Sequence, residues 1–294
     1  MKSTQIAFIV LYVFATHTST FAQTEEVKQK WIEQIDTNHV NLLKSEYLQV
    51  EKSQAMEQFD KQLSFGMYKD NYFITGVPTN NAINNQTADA KFQISIRQRL
   101  FKSIMPFETQ LMLIYTQKSF WDIYDESSPF ADNNYNPGLL LIKPVIDKNR
   151  LLGVASFSFE HESNGRQGLE SRSWNYFTLS GTYFFNAYFY AQAKLWYGWI
   201  DGENPDLFDY RGYGLVALNY RSFNDKFGVS FVINPCKETV NTQLELAFQP
   251  NKNANQYLFL QWYQGYGESL LEYNQYASMV RIGICIRPAM RNLY

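Results

Sequence analysis

Cysteine is scarce: the chain of 294 residues has two, Cys236 and Cys285, and they lack the spacing of a metal or redox motif. Long apolar runs are missing as well. The one near the N-terminus is too short for the about 20 residues a spanning helix requires, and none follows it, which excludes a helical membrane protein. Charge of neither sign dominates, with 26 Lys and Arg against 28 Asp and Glu. Nothing therefore points to nucleic acid.

What is present is aromatic. Tyr contributes 21 residues and Phe 23, yet the mean hydropathy is that of a water-soluble protein. Membrane β-barrels produce this mixture, because their strands alternate lipid-facing apolar residues with lumen-facing polar ones between two aromatic girdles. At the N-terminus, Met1-Lys2-Ser3, the apolar stretch Ile6 to Ala15 and Thr20-Phe21-Ala22 read as a secretory signal over residues 1–22, cut after Ala22. Residues 23–66 are charged, with Val27, Trp31, Ile35, Leu42 and Leu43 at roughly helical spacing, and read as a periplasmic segment, helical or mobile.

Residues 67–294 read as an all-β domain, a twelve-stranded antiparallel transmembrane β-barrel. Its expected strands are Asn71–Gly76, Ala90–Phe101, Gln110–Trp121, Gly138–Pro144, Leu151–Glu162, Trp174–Phe185, Tyr188–Ile200, Tyr210–Arg221, Lys226–Asn234, Val240–Gln249, Gln256–Gly265 and Ala277–Arg287. The connections alternate. Val77–Asp89, Asp122–Pro137, Asn164–Ser173 and Asp201–Asp209 are long, whereas Val145–Arg150, Asn186–Ala187, Ser222–Asp225 and Pro250–Asn255 are short. Outer-membrane barrels place long loops outside and short turns in the periplasm, and the aromatic end at Tyr294 suits such a barrel. Cys236 then falls at an extracellular hairpin and Cys285 near the periplasmic end, so free thiols are expected, since a disulfide needs Cα atoms within about 7 Å. A soluble β-sandwich is the alternative architecture.

In the run Leu151–Glu162, Ala155, Phe157, Phe159 and His161 share one parity, and Ser156, Ser158, Glu160 and Glu162 the other. Side chains alternate faces along a strand, so His161 faces lipid with the phenylalanines. Ser163 follows if the strand geometry persists. Asn175 shares the parity of Phe177, Leu179, Tyr183 and Phe185 in the next run. A hairpin centred on Gly168 sets His161 opposite Asn175. A serine, a histidine and an amide on one lipid-facing surface offer a nucleophile, a base and a group to orient the base.

The hairpin His161-Glu-Ser-Asn-Gly-Arg166 through Ser171-Arg-Ser-Trp-Asn175 resembles the active-site hairpin of the outer membrane phospholipase A family. Further matches are Tyr115-Thr-Gln-Lys-Ser-Phe-Trp121, Glu126-Ser-Ser-Pro-Phe130 with Asn134-Tyr135, Asn204-Pro-Asp206 with Gly212-Tyr213, and Gly265-Tyr-Gly-Glu-Ser-Leu270 with Tyr273-Asn274. They run in the family's order from about Phe65 to the C-terminus. The resemblance implies a bacterial outer-membrane barrel that hydrolyses acyl esters of phospholipids, with A1, A2 and lysophospholipase activity, and acts as a calcium-bound homodimer with its site toward the outer leaflet. It implies that His161 is the base, Ser163 the nucleophile and Asn175 the partner of the imidazole. By the same resemblance the Gly165 N–H would donate to the oxyanion. Calcium contacts carry over to the Arg166 carbonyl, Ser171, Ser127 from the second subunit, and Glu203 at an acidic position. Another acidic position of the family is Gly168 here, with Glu170 close by.

Gln117 shares the parity of Leu111, Leu113 and Tyr115 and is expected to face hydrocarbon at a dimer interface. Two other functions fit parts of the pattern. A non-enzymatic porin or adhesin barrel would share the architecture but has no use for His161, Ser163 and Asn175 together on the lipid face. A secreted soluble carbohydrate-binding protein need not alternate its loop lengths, so the alternation disfavours it.

Overall fold

The computed structural model describes residues 50–200, 202–222, 226–251 and 255–288. The expected signal over residues 1–22, the spacing from Val27 to Leu43 and the terminal Tyr294 lie outside the described residues. Thirteen strands form one antiparallel sheet: β1 (Phe65–Met67), β2 (Asn71–Pro78), β3 (Asp89–Met105), β4 (Thr109–Trp121), β5 (Phe130–Asp147), β6 (Arg150–Ser163), β7 (Ser173–Phe184), β8 (Phe189–Trp199), β9 (Gly214–Arg221), β10 (Phe227–Pro235), β11 (Val240–Phe248), β12 (Gln256–Gly265) and β13 (Ala277–Ile286). From β2 onward each strand pairs with its sequence neighbour, β1 pairs with β3, and β13 pairs with β2, which closes the sheet. Strands β1 and β2 lie end to end along β3, so the barrel has twelve staves, as expected.

Which parity is covered separates a membrane barrel from a sandwich. The apolar parity is the exposed one: Phe157 is 44% accessible, Leu179 61% and Ile282 59%. Charged and amide side chains are the buried ones, with Lys91 at 1% and Arg281 at 2%. In water this arrangement would cost tens of kcal/mol in unburied hydrocarbon. Against lipid it costs nothing, and closure leaves no strand edge to satisfy.

Both ends of the lumen are filled. Helix α1 (Lys52–Lys61) enters at the short-turn end, where Phe59 packs with Met112, Ile114, Leu140, Ile142 and Val154. Arg99 Nη2 donates to the Gln62 carbonyl at 2.9 Å, Arg97 Nη1 to that of Leu63 at 3.2 Å and Gln110 Nε2 to that of Phe59 at 3.0 Å. These donors satisfy carbonyls that the end of a helix leaves open. At the long-loop end, helix α2 (Leu207–Arg211) and the β12–β13 loop fold inward, and Leu207, Leu270 and Tyr273 pack with Trp174 and Tyr176. Between the two fillings lies a polar cavity of about 420 Å³.

The observed strands differ from the expected ones at several ends; β3, for one, runs on to Met105. β5 begins at Phe130, eight residues before Gly138, because Asp132, Asn134 and Asn136 are not loop residues but buried lumen side chains. Tyr210 and Arg211 belong to α2, so β9 starts at Gly214. Strand β1 precedes the expected first strand. The β5–β6 turn is tight, with Lys148 and Asn149 both at positive φ (47° and 60°), the geometry that matches the twist of a two-residue hairpin.

Candidate active site

The β6–β7 ladder ends in three register pairs: His161 with Asn175, Glu162 with Trp174 and Ser163 with Ser173. Strand geometry persists through Ser163, so His161 and Ser163 share the outward face with Phe157 and Phe159, while Ser158, Glu160 and Glu162 line the lumen. His161 Nδ1 lies 2.9 Å from Asn175 Oδ1. An amide oxygen only accepts, so this contact places the proton on Nδ1 and leaves Nε2 as a free base. Ser163 Oγ makes no hydrogen bond among the described residues, to His161 included; its position two residues further along the strand puts it on the same face as the imidazole.

Hydrocarbon-compatible rings adjoin the polar group. Phe159 stacks on Trp199 at 6.0 Å and meets Phe177 at 5.2 Å, and Trp199 is the register partner of Asn175. A long acyl chain therefore has an apolar surface next to the serine.

Beyond Ser163 the chain turns on Asn164, whose buried amide organises the loop. Its Oδ1 accepts from the N–H groups of Arg172 at 3.0 Å and Arg166 at 3.3 Å, and its Nδ2 donates to the Glu170 carbonyl at 2.8 Å. Gly165 then takes φ of +69°, with the Tyr135 ring so near that an added Cβ would sit 3.1 Å from it. The Gly165 N–H makes no intramolecular hydrogen bond among the described residues, so a donor is available beside the serine.

The loop also carries oxygen atoms suited to a hard cation. The Arg166 carbonyl and the Ser171 hydroxyl accept no hydrogen bond among the described residues. Glu170 is taken by Arg166, whose other nitrogen bonds the Ala131 carbonyl. The Glu203 carboxylate accepts from Ser173 Oγ at 3.0 Å. Among the described residues no cluster of three or more His, Cys, Asp or Glu forms. A cation here would lean on carbonyl and hydroxyl oxygens, which Ca²⁺ accepts, and one barrel offers fewer than its usual six to eight ligands. Ser127 is exposed on the β4–β5 connection and makes no hydrogen bond to Arg166 or Ser171.

Gln117 lies in the same cross-strand row as the serine, through the pairs Gln117 with Tyr135 and Tyr135 with Ser163. Its amide is satisfied within its own barrel: Tyr115 Oη donates to Oε1 at 3.1 Å, and Nε2 donates to Ser119 Oγ at 3.1 Å. Sequence reasoning did not single out the contributions of Asn164, Tyr135 or Glu162. Asn before Gly is a turn signal, but nothing local marks the other two. Neither Cys236 nor Cys285 is in a disulfide, as expected.

Comparison with known proteins identifies the family. The family model described as phospholipase A1 matches residues 45–286. Phospholipase A1 of Escherichia coli K12 is 30% identical over 251 residues, covering 79% of this chain and 84% of the relative. A relative from Neisseria meningitidis is 31% identical over 212 residues, 67% of this chain; it is longer, and the chain spans about half of it, 54%. The calcium-bound dimer of Salmonella typhi outer membrane phospholipase superposes with a TM-score of 0.70 at 26% identity, over 81% of this chain and 97% of that one. With the family model spanning the whole barrel, the chain belongs to the phospholipase A1 family of outer-membrane β-barrels.

Proposed function

We propose that the protein is a calcium-dependent outer-membrane phospholipase that hydrolyses acyl esters of phospholipids and lysophospholipids, at sn-1 and sn-2, with Ser163, His161 and Asn175 as its catalytic residues. The observation that carries this reading is the 2.9 Å contact of His161 Nδ1 with Asn175 Oδ1 on the lipid-facing surface, beside an unbonded serine hydroxyl. A porin needs none of these groups there and does not fill both ends of its lumen.

In the reaction Ser163 Oγ attacks the ester carbonyl carbon while His161 Nε2 takes the hydroxyl proton. Asn175 holds the imidazole in the tautomer that leaves Nε2 free and steadies the imidazolium. The carbonyl oxygen becomes an oxyanion, to which the Gly165 N–H donates. His161 then returns the proton to the departing lysophospholipid or glycerophosphoryl oxygen. Water, deprotonated by the same nitrogen, hydrolyses the acyl-serine and releases the fatty acid. Calcium, when bound, supplies positive charge that lowers the cost of the oxyanion.

The Arg166 carbonyl, Ser171 and Glu203 would hold that ion, with Ser127 reaching from a partner barrel. The Salmonella typhi relative is a calcium-bound dimer, and the shortage of ligands on one barrel supports the same arrangement here. Residues 1–22 would act as the export signal, and the segment that follows would lead from the periplasm into the short-turn end of the barrel, where α1 fills the lumen; the long loops and the catalytic group would then lie at the outer leaflet.

The test is release of fatty acid from mixed micelles by detergent-solubilised protein, with and without calcium. Ser163→Ala should lower hydrolysis by roughly a millionfold, the scale of losing a serine nucleophile, while the barrel still migrates as a heat-modifiable folded species. Activity surviving in that variant would rule out the nucleophile assignment.

A further inference from the structure

We propose that Glu162 and Arg211 form a positioning pair that holds the catalytic ribbon from inside the barrel. This rests on the reading of Ser163, His161 and Asn175 given above. Glu162 stands between His161 and Ser163 and points the opposite way, into the lumen. Its register partner, Trp174, stands between Ser173 and Asn175. The inward pair is thus the reverse side of the two outward pairs that carry the chemistry.

Three donors meet the Glu162 carboxylate. Arg211 Nη1 bonds Oε2, Arg211 Nη2 lies 3.4 Å from Oε1, and Trp174 Nε1 donates to Oε2 at 2.9 Å. The Arg211 guanidinium also lies over the Trp174 ring, 5.4 Å from its centre. Helix α2 delivers Arg211 from a different loop, and Gly267 makes room for it: an added Cβ there would come 2.9 Å from Arg211 Cγ. A fork held at both prongs and stacked on an indole has one geometry.

The backbone at this point lacks support from the other side. The β5–β6 ladder passes from the pair Tyr135 with Ser163 to the pair Gly138 with Glu160, skipping Asn136 and Pro137, and proline has no N–H to give. Asn136 Nδ2 substitutes by donating to the His161 carbonyl at 2.9 Å. Beyond Ser163 the strand ends. The segment that must keep a base and a nucleophile in register is therefore a strand terminus with an interrupted ladder, and the buried ion pair fixes its pleat. A buried ion pair is a poor source of stability, because desolvation offsets its attraction. Its contribution here is geometry at the reacting atoms.

Three variants test this: Glu162→Gln, which keeps the volume and an acceptor for Trp174; Arg211→Met; and the double variant, which leaves no lone buried charge and guards against misfolding. Two rates are measured per folded barrel at saturating calcium: hydrolysis of a micellar phospholipid, resolved into kcat and KM, and covalent labelling by a soluble alkyl fluorophosphonate. We expect kcat to fall about tenfold in each variant with KM within twofold, labelling to slow by the same factor, and the double variant to be no worse than the singles. A purely structural role would change only the folded fraction. Rates per folded barrel within twofold of the parent, or a loss confined to KM, would overturn the proposal. Ser163→Ala serves as the separate control. If that variant is still labelled and active, the catalytic reading fails; if it is inert while the ion-pair variants are unimpaired, the positioning proposal alone fails.

Discussion

Gly165 is the residue at which backbone conformation and the proposed chemistry coincide. Its φ of +69° is one that an L side chain enters at a cost of about 1–2 kcal/mol, and the Tyr135 ring leaves little space for a Cβ. Gly165→Ala should fold, because the loop is at the surface, but it should turn the amide away from the oxyanion. The expected result is a loss of roughly 10²–10³ in kcat, the usual effect of removing one oxyanion donor, with the heat-modifiable species retained. At the neighbouring positions His161→Ala should abolish hydrolysis, whereas Asn175→Ala should be milder, since the amide orients the ring without moving a proton. Ranking the two by fatty acid release checks the roles; a larger loss at Asn175 would reverse them.

Among the elements, the β12–β13 loop is one whose docking depends on ionisation. Burial alone would raise the Glu268 carboxyl, but Arg281 and Lys91 beside it prevail and hold it at about 2. Arg281 Nη1 lies 2.6 Å and Lys91 Nζ 2.9 Å from Glu268 Oε1, and Asp89 takes the remaining side of Arg281 at 2.7 Å. The carboxylate is depressed relative to the unfolded chain, so its contribution is complete above the ordinary value of 4.5 and is lost as pH falls from there toward about 2. Docking of the loop should be unchanged between pH 8 and about pH 5 and loosen progressively below that. Amide exchange at Leu270 and Leu271, whose N–H groups bond Asn134 and Asp132, reports it. Glu268→Gln should show the loosened exchange already at neutral pH.

The molecule as a whole inverts the arrangement of a water-soluble protein: hydrocarbon outside, ions inside, and a lumen filled from both ends. The proposed catalytic group faces outward, so in the proposed reading a second barrel would supply the oxygens that a calcium ion still lacks. Calcium should therefore raise the dimer fraction and the turnover together. Gln117→Leu removes an amide that one barrel already satisfies through Tyr115 and Ser119. Interhelical polar contacts in membranes contribute only about 1 kcal/mol, so the variant should shift the calcium midpoint upward by about fivefold or less and leave saturated activity nearly unchanged. Cross-linking in detergent across a calcium titration, run beside ester hydrolysis, measures both quantities. Full activity in a chelated, strictly monomeric sample would eliminate a shared site.

Strand parity was legible from the sequence alone because a period of two follows from the backbone itself. It placed His161 and Asn175 outward, and the symmetry of the hairpin about Gly168 paired them, as the structure has it. The alternation of long and short connections announced a barrel for the same local reason. Residues Phe130 to Pro137 misled, since Asp, Asn and Pro ordinarily mark a loop; here Asp132, Asn134 and Asn136 are lumen side chains of β5, and only burial inside a closed sheet makes that placement favourable. Which loops fold into the lumen was illegible altogether. Arg211 meets Glu162 across 49 residues of chain, and Glu268 meets Lys91 across 177. Such pairs leave no periodic trace, because the ion that satisfies a buried charge is chosen by the space left when the barrel closes rather than by its neighbours in sequence.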